Sequence, residues 1–243
     1  MKIHLASFAD GAFHQRKVNF RLNAEEFGAF DTISIYDKAS LPENFAKSHG
    51  NYMTNTKRGF GYWIWKPVVI LETLQNADPD DCILYTDAGY TLNPEGKKRF
   101  SEYVELTMDS KYKMLSFQNM AVESHYTKAD LASRLGLTIN STDMKTTQLT
   151  ANIMLLKPTL ENIDLIREWI EIGIEKNYHY SDDSPSETPN HPEFKEHRHD
   201  QSIASLLRKM RGTQTIYMES SPQNRSFEAL KKDLPAWCTR RRE

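Results

Sequence analysis

The sequence predicts an α/β fold, a mixed and mostly parallel sheet flanked by helices. Strand-like and helix-like segments alternate along the chain, the pattern of a sheet whose faces are covered by crossover helices. The run Cys82-Ile83-Leu84-Tyr85 is apolar throughout and is bounded by Asp80-Asp81 and Ala88-Gly89, as suits a strand buried on both faces. At 243 residues the chain can bury about 70% of its unfolded surface, so a full core needs no metal or disulfide.

Taken in order, "KIHLASFA" (2–9) forms a first strand ending near Asp10-Gly11. "QRKVNFRLNAEEFGAF" (15–30) reads as a helix with Gly28 near its close, and the alternating "TISIYD" (32–37) as a second strand. After a long loop, "KPVVILETLQNA" opens a helix with Pro67 at a first helical position, where its missing N–H costs nothing. "CILYTD" (82–87) delivers Asp87 to the carboxyl edge of the sheet, where ligands of open α/β sheets bind. Gly89 beside it permits a positive φ or close backbone approach, although a plain Asp-Gly turn explains the same residues. "EGKKRFSEYVELTM" (95–108) is a helix and "YKMLSFQ" (112–118) a strand. "TKADLASRLG" is a short helix with Thr127 as N-cap, Asp130 three residues on and Gly136 as its stop.

"TANIMLLKP" (150–158) is a strand closed by Pro158, and "TLENIDLIREWIEIGIEKN" a helix with Ile163, Ile166 and Ile170 on one face. Residues 178–200 carry three prolines and almost no apolar period, so they form a long loop of the kind that tends to be functional or mobile. Ile203, Leu206, Leu207 and Met210 then mark an amphipathic helix, and "TQTIYM" (213–218) a last strand. The expected layout is one domain over 1–218 and a basic, aromatic tail over 219–243.

Thirty-one Lys and Arg stand against 33 Asp and Glu, a formal charge of -2, so no basic field points to nucleic acid. Cys82 and Cys238 make neither a disulfide framework nor a zinc site, which fits a reducing compartment. "MKIHLASFADG" is too short an apolar run for a signal peptide, and no segment approaches the ~18 apolar residues of a membrane span. The expectation is a cytoplasmic protein. Leu234, Trp237, Arg240, Arg241 and Arg242 suit either a peripheral membrane contact or a solvated end.

Phosphate-binding loops, dinucleotide fingerprints, nucleophile elbows and His-Glu zinc helices are all missing from the sequence. Three stretches carry chemistry instead. "KRGFGYWIWKP" (57–67) crowds Arg58, Trp63, Trp65 and Lys66 ahead of a helix, as core anchors or as a stacking and phosphate surface. "TDAG" holds Asp87. "EHRHDQS" (196–202) brings His197, His199, Asp200 and Gln201 to a helix start, where Asp200 serves as a cap or as a reactive carboxylate.

In this order and context the stretches resemble the nucleotide-diphospho-sugar transferases, small glycosyltransferases of the Rossmann-like GT-A fold. "GYWIWKP", "LYTDAG", "ANIMLLKP" and "HRHDQS", with "ASFADG" at the start, carry the resemblance over about residues 1–218. It implies a donor site of Ser7, Arg58, Trp63, Lys66, Asp87, Ala88 and Gly89. It implies a sugar or acceptor pocket of Gln148, Asn152, His197 and His199, with Asp200 and Gln201 at the reaction centre. Asp87 stands where related enzymes hold a divalent cation, Mn2+ or Mg2+, with an Asp-x-Asp pair; Gly89 replaces the second acid and weakens that site. Arg58 and Lys66 are then the candidates to stabilise the leaving diphosphate. The expected partners are a nucleotide-sugar donor and a glycan or lipid-linked acceptor, as in polysaccharide biosynthesis. A catalytically silent sugar-nucleotide or glycan-binding module of the same fold is the alternative.

Overall fold

The structure is a computed structural model that describes residues 1–56, 58–223 and 226–241. Lys57 and Arg242, named above, lie outside the described residues. The chain runs β1 (Ile3–Phe8), α1 (His14–Phe27), β2 (Thr32–Tyr36), α2 (Glu43–Asn55), α3 (Trp65–Gln75), β3 (Cys82–Thr86) and β4 (Thr91–Leu92). It continues through α4 (Lys97–Asp109), β5 (Met114–Val122), α5 (Ala129–Arg134), β6 (Thr147–Leu156), α6 (Leu160–Tyr178), α7 (His199–Arg211), β7 (Gln214–Tyr217) and β8 (Ala236–Trp237), with short helical turns between.

The main sheet has the order β2-β1-β3-β6-β5-β7. β2, β1 and β3 are parallel, β5 and β7 are parallel, and β6 runs against both of its neighbours. Period-two alternation splits β3 between two cores. Ile83 and Tyr85 face the layer of α2, α3, α6 and α7 around Trp169 and Ile70. Cys82 and Leu84 face α1 and α4 through Phe20, Phe27, Phe100 and Tyr103. Covering both faces is what the uninterrupted apolar run demands.

Several elements differ from expectation. The segment before Lys66, expected as loop, contains the helix α2, whose Phe45, Tyr52 and Met53 pack on the first core. No side-chain cap starts α5: the Thr127 hydroxyl donates to Glu123, and Asp130 instead accepts from the N–H groups of Glu187 and Thr188 and from His179. Tertiary partners thus outcompete the local cap, and Asp130 pins the 178–198 loop to the domain. The tail is also engaged. Its β8 pairs with β4, Leu234 is 3% exposed, and the Trp237 indole donates to the carbonyl of Lys231. That packing withholds Leu234, half of the apolar pair suggested for a lipid surface. No described helix is long and apolar enough to cross a membrane.

Candidate functional site

The carboxyl ends of β1 and β3 open into a cleft of about 1160 Å3. Its walls come from the segments before α3, after β3 and before α7, the three stretches that the sequence singles out. Left-handed backbone at Gly59, Phe60, Gly61, Tyr62 and Trp63 coils the chain tightly ahead of α3. Gly59 is required there, since a Cβ would sit 2.4 Å from the Trp63 ring. Trp65 stacks on Phe8 with ring centres 3.9 Å apart and donates its indole N–H to the Gly59 carbonyl. Trp65 is therefore a wall anchor, whereas Trp63 lines the cleft beside His199.

This coil sets Lys66 under the cleft floor. Lys66 is 3% exposed, and its Nζ lies 2.6 Å from Asp200 Oδ2 and 3.3 Å from Asp87 Oδ1. Asp87 also accepts from the buried Tyr85 hydroxyl at 2.7 Å. Burial works against the Lys66 charge, but Asp200 and Asp87 outweigh it and raise its pKa. Burial pushes Asp200 up to about 6; Lys66 opposes this, and the like charge of Asp87 adds to it. One ammonium thus serves two carboxylates, and the surplus negative charge makes Asp200 easier to protonate than an ordinary aspartate.

The turn into α7 completes the site. Arg198 occupies the N-cap position without a side-chain cap bond, so Asp200 lies inside the helix with its carboxylate on Lys66. His199 holds a φ of +51°, a costly conformation for a side-chain-bearing residue, fixed by Nδ1–H donating to the Ser181 carbonyl. Burial lowers its pKa to about 4, so at neutral pH it presents a neutral Nε2 with no hydrogen-bond partner among the described residues. Gln201 donates to Gln148 Oε1 at 2.7 Å, and Gln148 donates to the fully buried Glu123 at 2.9 Å, which fixes how the Gln201 amide faces the cleft.

Arg58, Trp63, Lys66, Asp87, Ala88, Gly89, Asn152, His199, Asp200 and Gln201 all line the cleft. Three expected residues do not. Ser7 is fully buried and donates to the Thr86 carbonyl; Gln148 sits behind Gln201; His197 is turned inward, bonded to the carbonyl of Tyr180 and the N–H of Lys128. At Gly89 the positive φ is not adopted but the close backbone approach is found: the chain's own end lies on it, Arg241 N and Thr239 Oγ1 each donating to its carbonyl at 3.0 Å. Sequence reasoning missed Arg16, Tyr90, Arg198, Arg240 and Arg241, which also line the cleft.

A divalent cation at Asp87 fits this donor set poorly. Hard cations take several oxygen ligands, but Asp200 is closed on an ammonium, Asp87 Oδ1 is taken by Lys66 and the Tyr85 hydroxyl, and Gly89 offers no second carboxylate beside it. Among the described residues, the His and acid group spaced to hold a metal is His125, His191 and Glu193, none of which lines the cleft.

The sheet order and the helices on both of its faces give a GT-A-type fold. No family model and no curated protein matches the sequence. Among solved structures, a glycosyltransferase involved in the glycosylation of the major capsid of PBCV-1 is similar with a TM-score of 0.57 at 9% identity, over 98% of this chain and 93% of that one. Mouse xyloside xylosyltransferase 1 gives 0.48 at 10% identity over 97% and 83%, and the galactosyltransferase LgtC 0.43 at 13% over 98% and 86%.

Proposed function

We propose that the protein transfers a sugar from a nucleoside-diphosphate sugar to a hydroxyl of a glycan acceptor. The observation that carries this reading is the buried Lys66 bridging Asp87 and Asp200 at the base of a cleft in a GT-A fold. In the proposed reaction the bond between sugar C1 and the diphosphate oxygen breaks, and its electron pair leaves with the diphosphate. The acceptor oxygen bonds C1, and Asp200 takes its proton. A carboxyl held at about 6 suits that task, because a base works best when its pKa lies near the operating pH. Lys66 keeps the two carboxylates apart and oriented, Trp63 offers a stacking face, and Gln201 and Asn152 offer amides to sugar hydroxyls.

Reactivity that needs ionised Asp200 sets the pH profile. Below about 6 the acid is protonated, so kcat/KM is expected to rise about tenfold per pH unit and to level off above that value. An acidic limb that survives in Asp200→Asn would assign the titration to another group.

A thermal-shift panel of UDP-, GDP-, CDP- and ADP-sugars in EDTA tests the donor reading. Ligand that binds only the native state raises apparent stability by an amount set by concentration over Kd, so one donor should raise Tm without added metal. A flat panel in EDTA and in manganese alike would reject the proposal, and a response only in manganese would restore a metal site.

A further inference from the structure

The C-terminal segment returns over the cleft instead of leaving it. Ala236 and Trp237 pair with Leu92 and Thr91, Cys238 N donates to the Ser220 carbonyl, and Arg241 N donates to the Gly89 carbonyl. Arg240 sits between these anchors with a φ of +52°, a strained conformation for any residue but glycine. Both arginines are exposed and line the cleft beside Asp87-Ala88-Gly89. Arg16 lies underneath, 4% exposed, its guanidinium donating to the carbonyls of Ala88 and Tyr90. Burial and then the like charge of Arg241 lower the Arg16 pKa, so the cations crowd one another.

The other cations of the cleft are already committed. Lys66 is held by Asp87 and Asp200; Arg58 is 3.0 Å from Asp183 and 3.8 Å from Glu196. Arg198 approaches Glu196 and stacks over Tyr126 at 3.9 Å. Among the described residues, Arg240 and Arg241 have no carboxylate within ion-pair distance. The Arg240 side chain reaches the Cys238 sulfur, and guanidinium groups without a carboxylate partner at the mouth of a cleft suit an anion, phosphate above all, because the fork of Arg matches two oxygens at once.

We propose that Arg240 and Arg241 bind the diphosphate of the donor and take up the charge it gains on leaving, the task that a metal on an Asp-x-Asp pair would otherwise perform. This assignment rests on the donor reading above. As the C1–O bond breaks, its electron pair localises on the outer phosphate, where two guanidinium groups donate hydrogen bonds. The acceptor oxygen replaces it at C1 and loses its proton to Asp200, so the step balances without a further reactant. The arm is anchored mainly through backbone groups, so truncating both side chains leaves it in place.

Isothermal titration in EDTA tests this with inorganic pyrophosphate, orthophosphate and the mono- and diphosphates of uridine, guanosine, cytidine and adenosine. The parent should bind pyrophosphate and one nucleoside diphosphate at least about tenfold tighter than the corresponding monophosphates. Arg240→Gln/Arg241→Gln should weaken both diphosphates by about tenfold or more, change the nucleoside monophosphate by less than about threefold, and melt as the parent does. Arg240→Lys/Arg241→Lys should recover part of the loss, since lysine keeps the charge without the fork. If the parent binds no nucleoside diphosphate, the donor reading falls and this assignment with it. If the parent binds one and the glutamine variant binds it equally, the arginine assignment alone is overturned.

Discussion

Asp200→Asn is expected to keep the fold and to lower kcat by about 10² or more. The amide preserves size and its contact with Lys66, but it cannot take a proton. The stability side of the same change has a definite sign. Because the native pKa of Asp200 is raised from 3.8 to about 6, the native state favours the protonated acid. That preference contributes stability below the unfolded value and is lost as pH rises through about 6. As the pH rises above 3.8 that preference is progressively lost, so the asparagine variant should melt at or above the parent at pH 8, the gap narrowing at pH 5 and closing only below about pH 4. A variant with parental kcat would move the reaction centre away from Asp200. A variant that melts well below the parent at pH 8 would mean that Asp200 serves the fold.

Lys66→Met is expected to be the most damaging change to both activity and stability. It leaves two carboxylates facing each other at the cleft floor without their shared cation, and removing one partner of a buried ion pair costs about 3–5 kcal/mol. Without Lys66 the remaining influences on Asp200, burial and Asp87, both act upward. The variant should therefore lose most stability at pH 8 and much less at pH 5, where Asp200 carries a proton. Lys66→Met/Asp200→Asn should recover much of the stability and none of the transfer. Urea unfolding at the two pH values reads this directly; a loss independent of pH would mean that Lys66 acts through packing alone.

Much of this site was legible in the sequence because its parts sit at element boundaries. Asp87 follows an apolar run that suits a buried strand, and Asp200 opens a helix with a clear apolar period. What the sequence could not supply was the partner of each charge. Lys66 looked like a phosphate ligand beside tryptophans, and its burial between two carboxylates depends on chain crossings that no local pattern encodes. The tail was harder still. It returns through two-residue strands, too short to leave a period, so Arg240 and Arg241 read as a solvated or lipid-facing end. Helix α2 was missed because it has few apolar residues to mark a core face, Met53 buried and Phe45 and Tyr52 only partly so, scattered among polar ones.

The central claim is that the Lys66-bridged carboxylates carry sugar transfer in a cleft that needs no metal. The most direct measurement is release of nucleoside diphosphate from the donor found by thermal shift, followed in EDTA with a mixed glycan acceptor pool, for the parent and Asp200→Asn side by side. The account predicts sustained release by the parent, dependent on acceptor, and loss of about 10² or more in the variant. Equal release by both proteins, release by the parent only when manganese replaces EDTA, or no release by the parent under either condition would contradict it.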